Sequence, residues 1–275
     1  MADHNLLFNI QGQTAVVTGG SGVLGKVMAR ALAEAGARVA ILGSRPETVE
    51  AAVQAIRAQG SEVLGIVGDV CERNSLEEAL QKITSAFGSP DILLNAAGGN
   101  KPAATISAER SFFDLDLQAV ENVFNLNFTG TLLATQILGR GMAERGQGCI
   151  VNISSMSALR PLTNIVSYSA AKAALSNFTQ WLAVHMAQKY GTHLRVNAIA
   201  PGFFLTEQNR FLLTEAQTGE LTPRGQAILN HTPMGRFGAA EDLIGALLWL
   251  VSPASAFVSG IVVPIDGGFS AFSGV

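Results

Sequence analysis

The amino-acid sequence predicts an α/β fold, namely a doubly wound parallel β-sheet of about seven strands with helices on both faces. Short runs of β-branched and aliphatic residues alternate with longer helical segments along the chain. Runs such as Ala15-Val16-Val17 and Ile92-Leu93-Leu94 are continuously apolar, as strands buried on both faces are. Repeated strand–helix units imply right-handed crossovers, and the strands are therefore expected to be parallel.

The predicted elements follow one another without a break in the pattern. The first half of the chain contains strands at 14–18, 38–42, 62–67 and 91–95 and helices at 24–35, 46–59 and 75–87. The second half contains helices at 115–143, 168–188 and 240–251 and strands at 149–153, 194–199 and 261–265. The last helix ends before Pro253, because proline cannot continue a helix.

No repeat, low-complexity tract or linker divides the chain, so we expect one domain over residues 1–275. Residues 202–235 show no strand pattern and exceed the usual length of a loop. The apolar residues in this segment, among them Phe203, Phe204 and Leu205, predict an ordered lid over the substrate.

The composition excludes several classes of protein. A formal net charge of −3, with 14% charged residues, lacks the basic surface that nucleic-acid binding needs. Two cysteines form no close motif, and four histidines have no ligand-like spacing, so neither disulfides nor a metal site are expected. Ser252-Pro253 interrupts the uncharged stretch 243–265, and no leader peptide is recognisable. We therefore expect a soluble, cytoplasmic protein without a membrane span.

A glycine-rich turn directly follows the first predicted strand. In Thr18-Gly19-Gly20-Ser21-Gly22-Val23-Leu24-Gly25, the residues Gly20, Gly22 and Gly25 satisfy G-x-G-x-x-G between a strand and a helix. Glycine permits positive φ and close approach of the backbone to a pyrophosphate, which the helix N-terminus then binds. A turn that merely joins a strand to a helix is the alternative. The position at the first strand–helix turn favours a Rossmann-type dinucleotide site.

The end of the second strand indicates which dinucleotide binds. NAD-binding folds usually place a carboxylate there for the ribose 2′-hydroxyl, but the sequence reads Gly43-Ser44-Arg45. Ser44 and Arg45 could bind a 2′-phosphate, Arg45 through a charge-assisted contact. Alternatively, Arg45 is a solvated residue at the start of the next helix. NADP(H) is therefore favoured over NAD(H).

Tyr168 and Lys172 lie four residues apart and share one face of a predicted helix. A phenol that exchanges a proton with a carbonyl or alcohol oxygen needs a lowered pKa, and a nearby ammonium favours the phenolate. Ser154 and Ser155 follow the predicted strand 149–153, where ligands bind in open α/β sheets. An ordinary surface pair and turn-forming serines are the alternatives.

These residues together resemble the short-chain dehydrogenase/reductase family over essentially the whole chain. The residues that carry the resemblance are Thr18, Gly19, Gly25, Asp69, Val70, Asn95, Ala96, Ala97, Gly98, Asn127, Ser155, Tyr168, Lys172, Asn197, Pro201 and Gly202. The resemblance implies that Tyr168 is the general acid/base, that Lys172 lowers its pKa and binds the nicotinamide ribose, and that Ser155 orients the carbonyl. It also implies a water held by Asn127 in a proton relay, and a homotetramer.

The resemblance also implies a cofactor site along the strand ends. Asp69 is expected at the adenine, Asn95 on the adenosine side and Thr206 at the carboxamide. The full expected set comprises Gly19, Gly20, Ser21, Gly22, Val23, Leu24, Gly25, Ser44, Arg45, Asp69, Val70, Asn95, Ala96, Ala97, Gly98, Tyr168, Lys172, Pro201, Gly202, Phe204 and Thr206. The sequence departs from the family pattern at Val23, where the turn usually has glycine, and at Ala96, where it usually has asparagine.

Within the family, four segments resemble the D-mannonate oxidoreductases, also called fructuronate reductases. They are residues 97–102, 112–115, 154–162 and 201–210. This resemblance implies a sugar-acid substrate, and the candidate substrate-binding residues are Asn100, Lys101, Arg160, Gln208 and Arg210. Solvated surface roles are the alternative for the cations. Other open hypotheses are a reductase of 5-ketogluconate or of a 3-oxoacyl thioester, and a redox-inactive nucleotide sensor.

Overall fold

The computed structural model describes residues 4–205, 213–215 and 218–274. Their seven strands form one parallel sheet in the order β3-β2-β1-β4-β5-β6-β7. The strands are β1 (Thr14–Thr18), β2 (Arg38–Gly43), β3 (Val63–Val67), β4 (Ile92–Asn95), β5 (Gln147–Ile153), β6 (His193–Pro201) and β7 (Val262–Ile265). The sheet confirms the predicted Rossmann-type fold, because the strand order reverses direction between β1 and β4.

Helices cover both faces of the sheet. They are α1 (His4–Leu7), α2 (Val23–Glu34), α3 (Pro46–Arg57), α4 (Arg73–Phe87), α5 (Leu117–Phe124), α6 (Gly130–Leu138), α7 (Arg140–Arg145), α8 (Val166–Lys189), α9 (Pro223–Asn230) and α10 (Ile244–Val251). Within the described ranges, no helix combines the length and the apolar character that crossing a membrane requires.

Two apolar cores lie on opposite faces of the sheet. On one face, buried residues of α2, α3 and α10, such as Leu32, Ile56 and Leu250, pack against the strands. On the other face, α4, α6, α7 and α8 pack against the strands through residues such as Ile83 and Leu138. Because both faces are covered, β1 is buried along its whole length, which explains why its sequence is continuously apolar.

The prediction of one continuous helix at 115–143 is wrong, because the structure divides this range into several helical segments. Helix α5 passes into α6 through a wide π-helical turn at Asn125–Thr129, and α6 ends at Gly139, where α7 begins. The π turn directs the side chain of Asn127 inward, where its amide donates to the carbonyl of Val123 at 2.7 Å. π-Helical turns of this kind are frequent at functional sites.

The described part of residues 202–235 contains one helix that the sequence analysis did not predict. Helix α9 begins after Thr222, whose hydroxyl accepts from the Gly225 amide at 3.0 Å, and Pro223 occupies its first turn. Proline fits there because its missing N–H would have no helical partner in any case. The Thr-Pro pair is the sequence signal that would have indicated this helix. The lid function of the segment remains a prediction.

Candidate active site

A cleft of about 610 Å³ opens at the carboxyl ends of the strands, where the strand order reverses. The glycine turn and the ends of β2 and β3 line one part of it, and Ser155, Tyr168 and Lys172 line another. Because all strands are parallel, their carboxyl ends share one edge of the sheet, and the residues that follow different strands meet there.

The glycine turn can accept only glycine at two positions. Gly19 has φ of +65°, and a Cβ added to it would lie 2.6 Å from the backbone nitrogen of Ala97. A Cβ on Gly25 would strike the carbonyl oxygen of Gly19. The turn after β1 therefore packs directly against the chain after β4. Its exposed backbone has no side chains, so a pyrophosphate can approach it closely.

Helix α2 begins at Val23, directly after this turn, and Gly22 is its N-cap residue. The first turn of α2 forms part of the cleft wall, because the cleft is lined by Ser21, Gly22, Val23 and Leu24. Gly20 does not line the cleft, because it lies against the carbonyl of Val17. Val23 stands where the family turn has glycine, and it serves as the first helical residue. The cradle therefore fits a dinucleotide despite this substitution.

The opposite side of the turn offers groups for the adenosine half of a dinucleotide. Ser44 and Arg45 are exposed and line the cleft after β2. Asp69 and Val70 line it after β3, and the Asp69 carboxylate accepts from the Cys71 amide at 2.8 Å. No carboxylate follows β2 in this part of the wall, which is the arrangement that the sequence analysis predicts.

Ser155, Tyr168 and Lys172 come together where β5 ends beside the first turns of α8. The Lys172 ammonium lies 5.6 Å from the centre of the Tyr168 ring and donates to the Ile153 carbonyl at 2.7 Å. Lys172 is 3% exposed. The spacing of four residues in α8 therefore brings both side chains to the same cleft, as predicted.

Burial shifts the pKa values of both groups. Burial lowers the pKa of Lys172 from 10.5 to about 7, because the charged ammonium is removed from water. Burial raises the pKa of the Tyr168 phenol, and a hydrogen bond with Ser155 partly opposes this rise. The expectation that the Lys172 ammonium lowers the pKa of Tyr168 is therefore not met. Desolvation of the phenol is the larger effect, and the pKa of Tyr168 lies above its ordinary value.

The Ser155 hydroxyl is oriented by its neighbour Ser157. Its oxygen accepts from the Ser157 amide at 3.1 Å and from the Ser157 hydroxyl at 3.0 Å. Because a hydroxyl has two acceptor positions and one donor, these contacts direct its proton toward Tyr168. Ser154 has a structural role instead, since its hydroxyl donates to the Lys172 carbonyl at 3.2 Å and contacts the Ser176 hydroxyl. Ser157 is not among the residues predicted from the sequence.

Two asparagines of the predicted site lie behind the cleft wall. The amide of Asn127 donates to the Gly99 carbonyl at 2.7 Å and accepts from the Gly99 nitrogen at 3.1 Å. It thereby holds the chain that follows β4. Asn95 is 1% exposed, and its amide donates to Thr135 and Asn152 in the core. Neither side chain lines the cleft.

The residues after β4 and β6 complete the wall. Ala96, Ala97, Gly98, Pro201, Gly202 and Phe204 line the cleft. Gly99, from the segment 97–102, also lines it. Other lining residues were not predicted from the sequence; they include Gly68, Leu126, Ile153 and Ile165. Gly68 follows a strand, and a glycine after a predicted parallel strand is the signal that could have found it. A Cβ on Gly98 would lie 2.7 Å from Asn127 Oδ1 and 3.1 Å from Lys172 Nζ.

The candidate substrate residues are divided among several places. Asn100 lines the cleft, and its amide donates to Thr105 at 2.9 Å. Lys101 is exposed beside it, outside the lining. Arg160 is exposed, and its Nε donates to the Ser270 carbonyl at 3.0 Å. Three predicted site residues, Thr206, Gln208 and Arg210, lie outside the described residues. Across the described ranges, no cluster of three or more metal-ligating side chains occurs.

A cradle for a dinucleotide and an acid–base group in one cleft define a class of enzyme, the nicotinamide-dependent oxidoreductases of alcohols and carbonyls. Residues 13–217 match the sequence profile of the family described as short chain dehydrogenase. The chain belongs to this short-chain dehydrogenase/reductase family and is an NAD(P)-dependent oxidoreductase.

Two curated relatives illustrate the range of similar proteins. The chain is 50% identical over 276 residues to the uncharacterized oxidoreductase UxuB of Bacillus subtilis (strain 168), an alignment that covers 97% of this chain and 98% of the relative. It is 32% identical over 265 residues to the 5-keto-D-gluconate 5-reductase of Escherichia coli (strain K12), with 96% and 98% covered.

Two solved structures are similar over almost the whole chain. One is a candidate D-mannonate oxidoreductase from Haemophilus influenzae with bound NAD, with a TM-score of 0.91, 44% identity and 97% and 98% of the two chains covered. The other is a gluconate 5-dehydrogenase from Burkholderia cenocepacia J2315 in complex with NADP and tartrate, with a TM-score of 0.85, 30% identity and 98% and 100% covered.

Proposed function

We propose that this enzyme interconverts a keto sugar acid and its hydroxy acid, with D-fructuronate and D-mannonate as the substrate pair. The observation that carries the proposal is the contact of the Tyr168 phenol with Ser155, beside Lys172, in the cleft that the glycine turn borders. The similarity to a candidate D-mannonate oxidoreductase supports the choice of substrate.

The residues of the chain supply orientation and a proton. The nicotinamide cofactor supplies or accepts the hydride when it is bound. In the direction of reduction, Ser155 donates a hydrogen bond to the substrate carbonyl oxygen, and the Tyr168 phenol gives that oxygen its proton. The raised pKa of Tyr168 suits this role, because the phenol holds its proton at neutral pH. Solvent then reprotonates Tyr168. In the direction of oxidation, the proton moves the opposite way.

Polar and cationic groups in and beside the cleft support a sugar acid as substrate. Asn100 lines the cleft and can address a hydroxyl, while Lys101, exposed beside it, is a cation that a carboxylate could pair with. We assign Gln208 to a substrate hydroxyl and Arg210 to the carboxylate. Ser44 and Arg45 support a preference for NADP(H) over NAD(H). We also propose a cytoplasmic homotetramer.

A specific observation favours a second candidate function, the reduction of 5-ketogluconate. The similarity to a 5-keto-D-gluconate 5-reductase covers almost the whole of both chains. Both candidates use the same acid–base group, so the substrate distinguishes them. The test is a panel of fructuronate, mannonate, 5-ketogluconate, gluconate and simple ketones, followed at the nicotinamide absorbance with each cofactor. Turnover of fructuronate or mannonate is expected. A clear rate with another substrate and none with these two would overturn the assignment.

Replacement of the proposed acid tests the mechanism. Tyr168→Phe removes the hydroxyl that we propose exchanges the substrate proton, and we expect kcat to fall by about 10²–10⁴-fold. The Kd of the cofactor, measured by fluorescence titration, should change less than about threefold, since the ring that packs in the cleft remains. Tyr190→Phe is the matched control, because Tyr190 is 50% exposed and does not line the cleft. Full activity of Tyr168→Phe would contradict the proton path.

A further inference from the structure

The chain that follows β7 forms a compact turn built on one carboxylate. Asp266 Oδ1 accepts from the Gly268 amide at 2.9 Å, and Oδ2 accepts from the Ser270 amide at 2.8 Å. The Phe269 amide also donates to the Asp266 carbonyl at 3.2 Å. Gly267 and Gly268 have φ of +64° and +90°, which other residues rarely adopt. Residues 266–272 are called the C-terminal turn below.

The C-terminal turn contacts the loop that carries Ser155. The carbonyl of Ser270 accepts from Arg160 Nε at 3.0 Å. Arg160 lies five residues after Ser155, and its amide donates to the Met156 carbonyl at 2.9 Å within the same loop. A charge-assisted contact of this type is about twice as strong as a neutral one. The turn thus contacts the loop that carries Ser155, and the position of this loop determines where the Ser155 hydroxyl lies.

The same turn contacts two further parts of the cleft region. The Phe269 ring lies 5.1 Å from Phe203, which follows β6, and 6.1 Å from His231, which follows α9. Gly202, which lines the cleft, lies directly against Asp266, since a Cβ on Gly202 would be 2.6 Å from the Asp266 Cβ. Three separate segments, the loop after β5, the end of β6 and the end of α9, therefore contact one turn, and the first two of them line the cleft.

We propose that the C-terminal turn positions the catalytic loop, with Asp266 and Arg160 as the positioning residues. Asp266 shapes the turn, and Arg160 joins the turn to the loop that carries Ser155. Arg160 then acts through its contact with the Ser270 carbonyl rather than by pairing with the substrate carboxylate. This inference rests on the proposed function only in placing the reacting carbonyl at Ser155 and Tyr168.

The first experiment measures the loop without any substrate. Asp266→Ala removes both side-chain contacts that shape the turn, and we expect amide hydrogen exchange at residues 157–160 to become at least tenfold faster. Arg160→Gln should show the same increase, because the loop loses its contact with Ser270. Glu78→Ala, an exposed carboxylate on α4, is the matched control and should leave the exchange unchanged. Unchanged exchange in the two test variants, with a native circular dichroism spectrum, would overturn the proposal.

The second experiment separates positioning from substrate binding. We expect Asp266→Ala and Arg160→Gln each to lower kcat at least tenfold, both for a sugar acid and for a ketone without a carboxylate. The double variant should lose no more than the stronger single variant, because both act through one contact chain. Asp266→Asn, which retains an acceptor oxygen, should recover part of the rate. Losses that multiply in the double variant, or a loss of rate confined to carboxylate substrates, would assign Arg160 to the substrate and overturn the proposal.

The two experiments also distinguish this inference from the proposed function. If the wild-type enzyme turned over neither sugar acids nor ketones, the proposed function would fail, while the exchange experiment would still test the turn. If the wild-type enzyme turned over its substrate and the exchange rates of the variants did not change, the positioning role alone would be overturned.

Discussion

At the scale of single residues, Lys172 is a site residue whose burial lowers the stability of the folded protein. The folded-state pKa of about 7 lies below the ordinary value of 10.5. Between these two pH values the unfolded chain binds a proton that the folded chain does not. Stability of the cofactor-free protein should therefore rise with pH from about 7 toward 10.5. Below about pH 7 the penalty for burying the ammonium is fully present, and above about 10.5 it is absent.

This dependence can be tested by removing the amine. Lys172→Met should raise the free energy of unfolding at pH 7 by on the order of a few kcal/mol, while turnover is lost. The advantage of the variant should shrink between pH 7 and pH 9, as measured by urea unfolding of the cofactor-free protein. Lys82→Met, at an exposed position, controls for the general effect of charge. A difference that does not vary with pH would contradict the assigned pKa.

Arg45 allows a second test at this scale. If its guanidinium binds a 2′-phosphate, Arg45→Ala should raise KM for NADPH by about 10–100-fold, the equivalent of one hydrogen bond to a charged group. KM for NADH should change less than about threefold, because NADH lacks the phosphate that this contact needs. Lys82→Ala again serves as the control. Equal effects on both cofactors, or a wild-type preference for NADH, would reject the predicted NADP(H) preference.

At the residue scale, the sequence predicts those groups whose chemistry requires residues at a fixed spacing. Tyr168 and Lys172 meet because positions four apart share a helix face, and the glycine turn is recognisable because strand, turn and helix follow in order. Asp266 could not be found in this way. Among the described residues, its carboxylate binds backbone amides of its own turn, and its proposed role depends on contacts with Gly202 that no local pattern indicates.

At the scale of elements, the strands were predictable and the irregular helix was not. A strand buried on both faces has a continuous apolar run, which marks β1 and β4 directly. The π turn at Asn125–Thr129 has no such mark, because apolar residues continue at helical spacing through α5 and α6. The extra width of the turn is favoured by tertiary contacts, among them the hydrogen bonds between Asn127 and Gly99.

Helix α10 offers a stability test at this scale. A side chain of strand β6 caps its carboxyl end. Arg195 Nη1 donates to the Leu250 carbonyl at 2.6 Å, and Nη2 donates to the Ser252 carbonyl at 3.2 Å. A cation at the carboxyl end also interacts favourably with the helix dipole. Arg195→Met should lower the free energy of unfolding by about 2–4 kcal/mol, since partly buried carbonyls lose charged donors.

The measurement for α10 is chemical denaturation followed by circular dichroism. Arg57→Met is the control, because the guanidinium of Arg57 makes a longer contact, 3.3 Å to the Val63 carbonyl. The specific activity of the folded Arg195→Met enzyme should stay close to that of the wild type, since Arg195 does not line the cleft. A loss of stability below about 0.5 kcal/mol would show that α10 needs no such cap.

At the scale of the whole molecule, one outer face carries an unusual row of aromatic side chains. Phe128 lies 5.9 Å from Phe178, Phe178 lies 6.3 Å from Trp181, and Trp181 stacks on His185 at 4.8 Å. Trp181 is 57% exposed. Exposed apolar surface of this kind supports the proposed homotetramer, because association would remove it from water.

The homotetramer can be tested by placing a charge in that row. Trp181→Asp should convert the tetramer to a smaller species, because association would bury an unpaired carboxylate. The measurement is sedimentation velocity at several protein concentrations. Gln54→Asp is the control, since Gln54 is exposed on α3, which packs on the opposite face of the sheet from α8. A monomeric wild type, or a Trp181→Asp variant that remains tetrameric, would contradict the proposal.

The order of the strands also determines when the cofactor cradle can form during folding. Residue Thr18 of β1 is in register with Asn95 of β4, although two further strands and three helices separate them along the chain. Gly19 rests against Ala97, so the phosphate-binding surface is incomplete until that long loop has closed. Closing such a loop has an entropic cost that must be met before the contact forms. We therefore expect nucleotide affinity to appear late in refolding, after helical structure and most of the first four strands are already in place.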